Sequence, residues 1–128
     1  MRLLLDTHTF LWFIQGSNSL SNTARHLIED STNQKLVSTA SLWEIAIKVS
    51  IGKLEIEISI QDLVERHIFD NAFGILSISP KHLNQLSTLP FYPKDPFDRL
   101  IIAQGLTEEI SIIFKDKSFR EYPIQLIW

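Results

Sequence analysis

The sequence contains no cysteine. That absence excludes a disulfide framework, a thiolate zinc site and a cysteine nucleophile, and it suits a reducing compartment. An excess of positive charge is missing too. Twelve Lys and Arg stand against 15 Asp and Glu, a formal net charge of -3. A protein that holds nucleic acid by charge alone carries a basic footprint, which this chain lacks. No apolar run is long enough to span a membrane. The opening MRLLLDTHTFLWFI superficially suggests a signal peptide, but Asp6 and His8 interrupt it and no small-residue cleavage site follows. It reads better as a strand and a helix, and a cytoplasmic location with no membrane contact is expected. Repeats, low-complexity tracts and charge blocks are absent, so nothing marks a boundary and one domain, 1–128, is expected.

What is present is a globular mixture. Hydrophobic residues make up 45%, enough to exclude wholesale disorder. Leu3-Leu4-Leu5 reads as a buried strand, followed by a helix from about His8 to Gln15 that stops near Gly16. Ser21 caps a second helix to about Asp30. Lys35 to Ser38 is a short strand, and Thr39 or Ser41 caps a helix to about Ser50. Ser59 caps another, from Ile60 to about Asn71. Gly74 to Ile78 is a strand, and Pro80 opens a short helix. Ser87 to Pro96 is a loop with three prolines. Asp95 caps a helix from Pro96 to about Leu106, Ile110 to Phe114 is a strand, and Ile124 to Ile127 is a last one. Short apolar strands alternating with helices predict an α/β fold: a central sheet of four or five mostly parallel strands with helices on both faces.

In such sheets ligands bind beyond the carboxyl ends of the strands. Asp6 directly follows the first strand, and Asp116 follows the Ile110–Phe114 strand. Glu44 lies early in the helix leaving the Lys35–Ser38 strand. Asp98 lies in the first turn of a helix that feeds a strand, so it begins at the same edge. Four carboxylates from distant parts of the chain are therefore expected on one side of the sheet. Like charges held close together repel and raise each other's pKa. A hard divalent cation, Mg2+ or Mn2+, removes that cost and favours oxygen ligands. Two such ions would change the formal charge from -3 to +1, and the local change would admit a polyanion.

Each acid also has a plainer reading. Asp6 can cap the first helix, and both roles can coexist. Glu44 can pair with Lys48 at (i, i+4). Against that, Leu42, Trp43, Ile45, Ala46, Ile47 and Val49 make the helix apolar nearly all round. Ser41, Glu44 and Lys48 form its one polar stripe, which favours a cleft lining. In the DPFD run, the cap falls to Asp95 and the chemistry to Asp98. Asp116 can be a turn acid in the Lys115-Asp116-Lys117 run. Lys48 and Arg99 lie near the acids and are candidates for phosphate contact, or for surface charge and carboxylate pairing. His8 invites a general-base role, but a structural or substrate-orienting role is favoured. Thr7 either hydrogen-bonds a metal ligand or serves the helix start. Phe91-Tyr92-Pro93 can stack bases or pack on the core. The Phe10–Ile14 stretch is apolar on more sides than one core face needs, so part of it is expected to meet another chain.

The segments LLLDTHTFLW (3–12), SLWEIAIK (41–48), IGKL (51–54), DPFDRLIIAQ (95–104) and KDKSFREYPIQLIW (115–128) resemble those of the PIN-domain ribonucleases, specifically the VapC-type toxins of toxin–antitoxin pairs. They span nearly the whole chain in the family's order. The resemblance implies a three-layer α/β/α fold and a Mg2+- or Mn2+-dependent endoribonuclease acting on RNA. It also implies a cognate antitoxin and, usually, a homodimer. It places the family's acidic set, catalytic and metal-binding, on Asp6, Glu44, Asp98 and Asp116, the residues the edge argument selects. Lys48, Arg99 and Thr7 are the weaker candidates for substrate contact. One departure stands out. The family often has Thr or Ser two residues before the last acid, where this chain has Phe114. That removes a hydrogen bond supporting the metal ligands.

Two rivals remain. An aspartate-nucleophile phosphatase wants Asp-x-Asp after the first strand, and Asp6-Thr7-His8 lacks the second acid. A catalytically degenerate PIN-fold module that binds RNA or a partner without turnover is the non-enzymatic alternative. The presence of all four acids counts against it, and Phe114 keeps it open.

Overall fold

The computed structural model describes residues 1–90, 95–116 and 121–128. Its centre is the leucine run. Strand β1 (Arg2–Leu5) lies between β2 (Gln34–Ser38) and β4 (Ser111–Ile113), and Leu3, Leu4 and Leu5 are completely buried. A strand covered on both faces has no reason to alternate with polar residues, which explains the unbroken apolar run. Leu3 and Leu5 point into one core with Phe10, Ala24, Ile28 and Ile45, while Leu4 points into the other with Leu100, Ile101 and Ile112. The period-two alternation of strand side chains thus supplies both layers.

Five strands in the order β3-β2-β1-β4-β5 form one parallel sheet, with β3 at Gly74–Leu76 and β5 at Leu126–Ile127. This is the expected α/β architecture. Helices α1 (Thr7–Gln15) and α2 (Asn22–Glu29) cover the first core. Helix α3 (Thr39–Ser50) contributes to both. Helices α5 (Pro80–Thr88) and α6 (Pro96–Glu108) cover the second. No helix among the described residues is long and apolar enough to cross a membrane.

Two local readings change. The expected Ile60–Asn71 helix is α-helical only over Ile60–Leu63 (α4), then widens into a π-helical turn over Val64–Phe69. Leu63 and Ile68, both buried, are five residues apart. In an α-helix that spacing puts side chains about 140° apart; the wider turn brings both to the core. The cap of α3 is Ser38, in place of Thr39 or Ser41. Ser38 keeps extended backbone and accepts from Ala40 N at 3.0 Å, while Thr39 is already helical. The Phe91-Tyr92-Pro93 loop lies outside the described residues.

Candidate active site

The strand order fixes where a site can form. From β1 the chain builds outward through β2 and β3, then returns to the other side of β1 with β4 and β5. The carboxyl ends of β1 and β4 therefore flank a topological switch point, where a crevice opens. A cavity of about 510 Å³ lies there, lined by Asp6, His8, Trp12, Asp98, Phe114, Lys115 and Asp116.

Asp6 is 2% exposed and follows β1 directly. Its carboxylate accepts from Thr9 N at 2.9 Å, so it caps α1 while lining the cavity. The helix start is also pinned to β4, because Thr9 Oγ1 donates to Ile113 O at 3.0 Å. Burial pushes the Asp6 carboxyl up to about 6, against the lowering effect of the Thr9 hydrogen bonds. Asp98 sits one turn into α6, behind the Asp95 cap, which accepts from Phe97 N at 2.7 Å. Its carboxyl is pushed up to about 7, first by burial and then by the charges of Asp95, Glu44, Asp6 and Asp116. The acids expected at this edge thus feel one another there. Asp116 is exposed at the rim.

Glu44 is 4% exposed and does not line the cavity, although its charge acts on Asp98. Thr7 Oγ1 hydrogen-bonds its Oε1 at 2.8 Å, and the same hydroxyl bonds Ser41 Oγ at 2.9 Å. Lys48 Nζ lies 2.7 Å from Oε2. That partner raises the Lys48 pKa. The (i, i+4) pair and the buried acid of the polar stripe are therefore both present. The helix is not buried all round, however: Trp43 is 55% exposed and Ile47 36%. Among the described residues no three His, Asp or Glu side chains already converge as a ligand set for a single ion.

The other candidates are distributed as follows. Thr7 is buried, with its hydroxyl on Glu44. Arg99 Nη1 donates to Pro90 O at 3.1 Å and Tyr122 Oη at 3.4 Å, tying α6 to neighbouring segments. His8 is exposed at the cavity, its ring 5.7 Å from that of Trp12.

Several supporting residues escape a sequence reading. Gln104, completely buried, accepts from Ser38 Oγ, the cap of α3. Its Nε2 points to Leu76 O at 3.4 Å and Ser77 O at 3.5 Å. His82 Nδ1, 3.4 Å from that nitrogen, accepts from Ser79 N at 3.0 Å. One amide thus ties α6, which carries Asp98, to the start of α3, which carries Glu44. The only signal available was a lone amide among apolar residues in RLIIAQGL.

The chain is 27% identical over 125 residues to Ribonuclease VapC22 of Mycobacterium tuberculosis, covering 94% of this chain and 91% of that one. Among solved structures it resembles VapBC2 from Rickettsia felis, bound to a DNA fragment from their promoter, with a TM-score of 0.68 and 17% identity over 99% of this chain and 98% of that one. It also resembles FitAcB from Neisseria gonorrhoeae, with a TM-score of 0.68 and 15% identity over 98% and 96% of the two chains. At these identities the structures establish the fold alone. Residues 3–125 match the PIN domain family, and the chain belongs to that family.

Proposed function

We propose that this chain is a VapC-type endoribonuclease, dependent on Mg2+ or Mn2+, that serves as the toxin of a toxin–antitoxin pair. The observation that carries this reading is the meeting of Asp6, Asp98 and Asp116, from three separate elements, on one cavity at the switch point. The ribonuclease named among its relatives supports it.

The donor set suits a hard cation. Three carboxylates line the cavity; burial holds Asp6 above its ordinary pKa, and burial together with repulsion from neighbouring acids does the same for Asp98. Magnesium keeps several waters and needs only one or two protein carboxylates, so a preformed three-ligand set is not required. Asp6, Asp98 and Asp116 would hold the ion, with Glu44 beside them. Bound there, the ion supplies Lewis acidity, making water more acidic and offsetting charge on a phosphate. The chain's own residues do the rest. Asp6 and Asp98 release their protons to become ligands. Thr7 and Lys48 fix both oxygens of Glu44. Lys115, exposed at the cavity, supplies positive charge for a phosphate.

Partner chains belong to the same reading. In α1, Trp12, Phe13 and Ile14 are only partly buried. Leu11 and Ile14 line a groove of about 380 Å³ with Ile56 and Ile58, which supports an antitoxin seat. The outward Trp43 and Ile47 of α3 support a homodimer. A second reading, RNA binding without turnover, draws on the Glu44–Lys48 pair and on Phe114. Mapping the ends of total RNA treated with wild type and with Asp6→Asn decides between them. The nuclease reading expects new magnesium-dependent 5′-phosphate ends with wild type and none with the variant. Wild type that binds RNA yet leaves it intact favours the second.

A further inference from the structure

The cavity lining is of two unlike kinds, the acids Asp6, Asp98 and Asp116 and the rings of Trp12, Phe114 and His8, with the His8 and Trp12 rings 5.7 Å apart. The acids account for only half of it. The aromatic lining is braced: the ring of Trp128 meets Trp12 edge-on at 5.9 Å, and Phe114 is largely buried in the core with its remaining surface on the cavity. Lys115 Nζ lies over the Trp12 ring, 5.6 Å from its centre, and the Lys115 side chain is exposed and long enough to swing away.

We propose that this aromatic lining is a nucleobase subsite: an unpaired base next to the scissile bond enters the cavity and stacks against Trp12, with Phe114 beneath it and Lys115 moved toward the backbone phosphate. This inference rests on the nuclease reading and adds to it the place where the base beside the scissile bond is held. Three arguments lead to a base. A free phosphate or sulfate would face three carboxylates, whereas a base brings no charge. The volume of about 510 Å³ lies within the usual range for a small-molecule pocket and admits a nucleoside. Aromatic rings bind any base through its π-face, and a base at a paired position cannot reach them. Phe114, where Thr or Ser would present a hydroxyl, makes the floor apolar and favours a ring over a hydrated group.

The test uses a short single-stranded oligoribonucleotide that the wild type cleaves, and the same oligonucleotide with an abasic sugar at each position flanking the cleaved bond. The expected result is a rise in KM of about 5- to 150-fold at one flanking position, the range that loss of a stacked base gives. In Trp12→Ala the intact and abasic substrates should have the same KM. Because Trp12 also packs on Trp128, Trp12→Leu serves as the second variant and the substrate comparison in wild type stands without either. Equal cleavage of all abasic forms by wild type overturns the subsite and leaves the nuclease reading intact. An abasic penalty undiminished in the Trp12 variants places the base elsewhere and also overturns it. If the wild type cleaves no RNA with Mg2+ or Mn2+, so that no such oligonucleotide can be found, the nuclease reading is overturned and the subsite with it.

Discussion

Replacing Asp6 by Asn should make the metal-free protein more stable, although it removes a residue at the centre of the site. Asn caps a helix as well as Asp, so the bond to Thr9 N survives. What disappears is a buried charge. The Asp6 carboxyl stands at about 6 in the folded chain against 3.8 ordinarily. At about 1.36 kcal/mol for each pH unit, that difference corresponds to ~3 kcal/mol of destabilisation. The sign follows from proton uptake. Between 3.8 and about 6 the folded state binds more protons than the unfolded one, so stability falls as pH rises through that window. The cost is complete above about 6 and vanishes below 3.8. Some of the gain is offset by desolvating the Asn amide, which leaves up to about 2 kcal/mol, or up to roughly 8 °C in Tm. The assay is urea and thermal unfolding in EDTA at about pH 8 and about pH 4. The variant should be the more stable at the higher pH, with the difference mostly lost at the lower. Added Mg2+ should stabilise wild type more than the variant. A variant less stable than wild type at about pH 8 in EDTA would refute the claim that this carboxylate is held at a cost.

Other predictions concern the surroundings of the acids. Thr7→Val should leave Glu44 Oε1 without its buried partner, lower stability by about 1–3 kcal/mol and reduce cleavage; denaturation curves and initial rates check both. Gln104→Met keeps the volume but cuts α6 from the cap of α3. It should cost a similar ~1–3 kcal/mol and depress kcat, and a Gln104→Met/Ser38→Ala pair should be non-additive. Gly105→Ala should destabilise by about 1 kcal/mol or more, because its Cβ would meet Ile124 Cδ1 at 2.5 Å and Ile112 Cδ1 at 2.9 Å. Thermal unfolding reads that cost, and activity per folded molecule should be unchanged.

The parts of this molecule legible in its sequence are those set by short-range rules. A short leucine run ended by an acid announces a buried strand, Asp95-Pro96 announces a helix start, and an acid directly after a strand marks the carboxyl edge. These suffice to place Asp6, Asp98 and Asp116 on one side of the sheet. What the sequence hides are pairings between distant residues. Thr7 and Glu44 are 37 positions apart and Ser38 and Gln104 are 66 apart, and only the packed sheet brings them together. The π-helical turn over Val64–Phe69 is hidden for a related reason: helix propensity sets local winding, and the burial of Leu63 and Ile68 overrides it. The outward face of α3 misleads in the opposite direction. Trp43 looks like core in the sequence but sits at the surface, edge-on to Phe97 at 5.0 Å.

The most direct measurement is Mn2+ binding to the purified chain, followed by electron paramagnetic resonance without RNA, for wild type and Asp98→Asn. Wild type should bind, with affinity rising with pH until Asp98, at about 7, has lost its proton. The variant, folded by circular dichroism, should bind at least tenfold more weakly, as loss of one charged ligand demands. Equal binding by both, or affinity indifferent to pH across that range, would contradict the claim that these carboxylates are gathered to hold a cation.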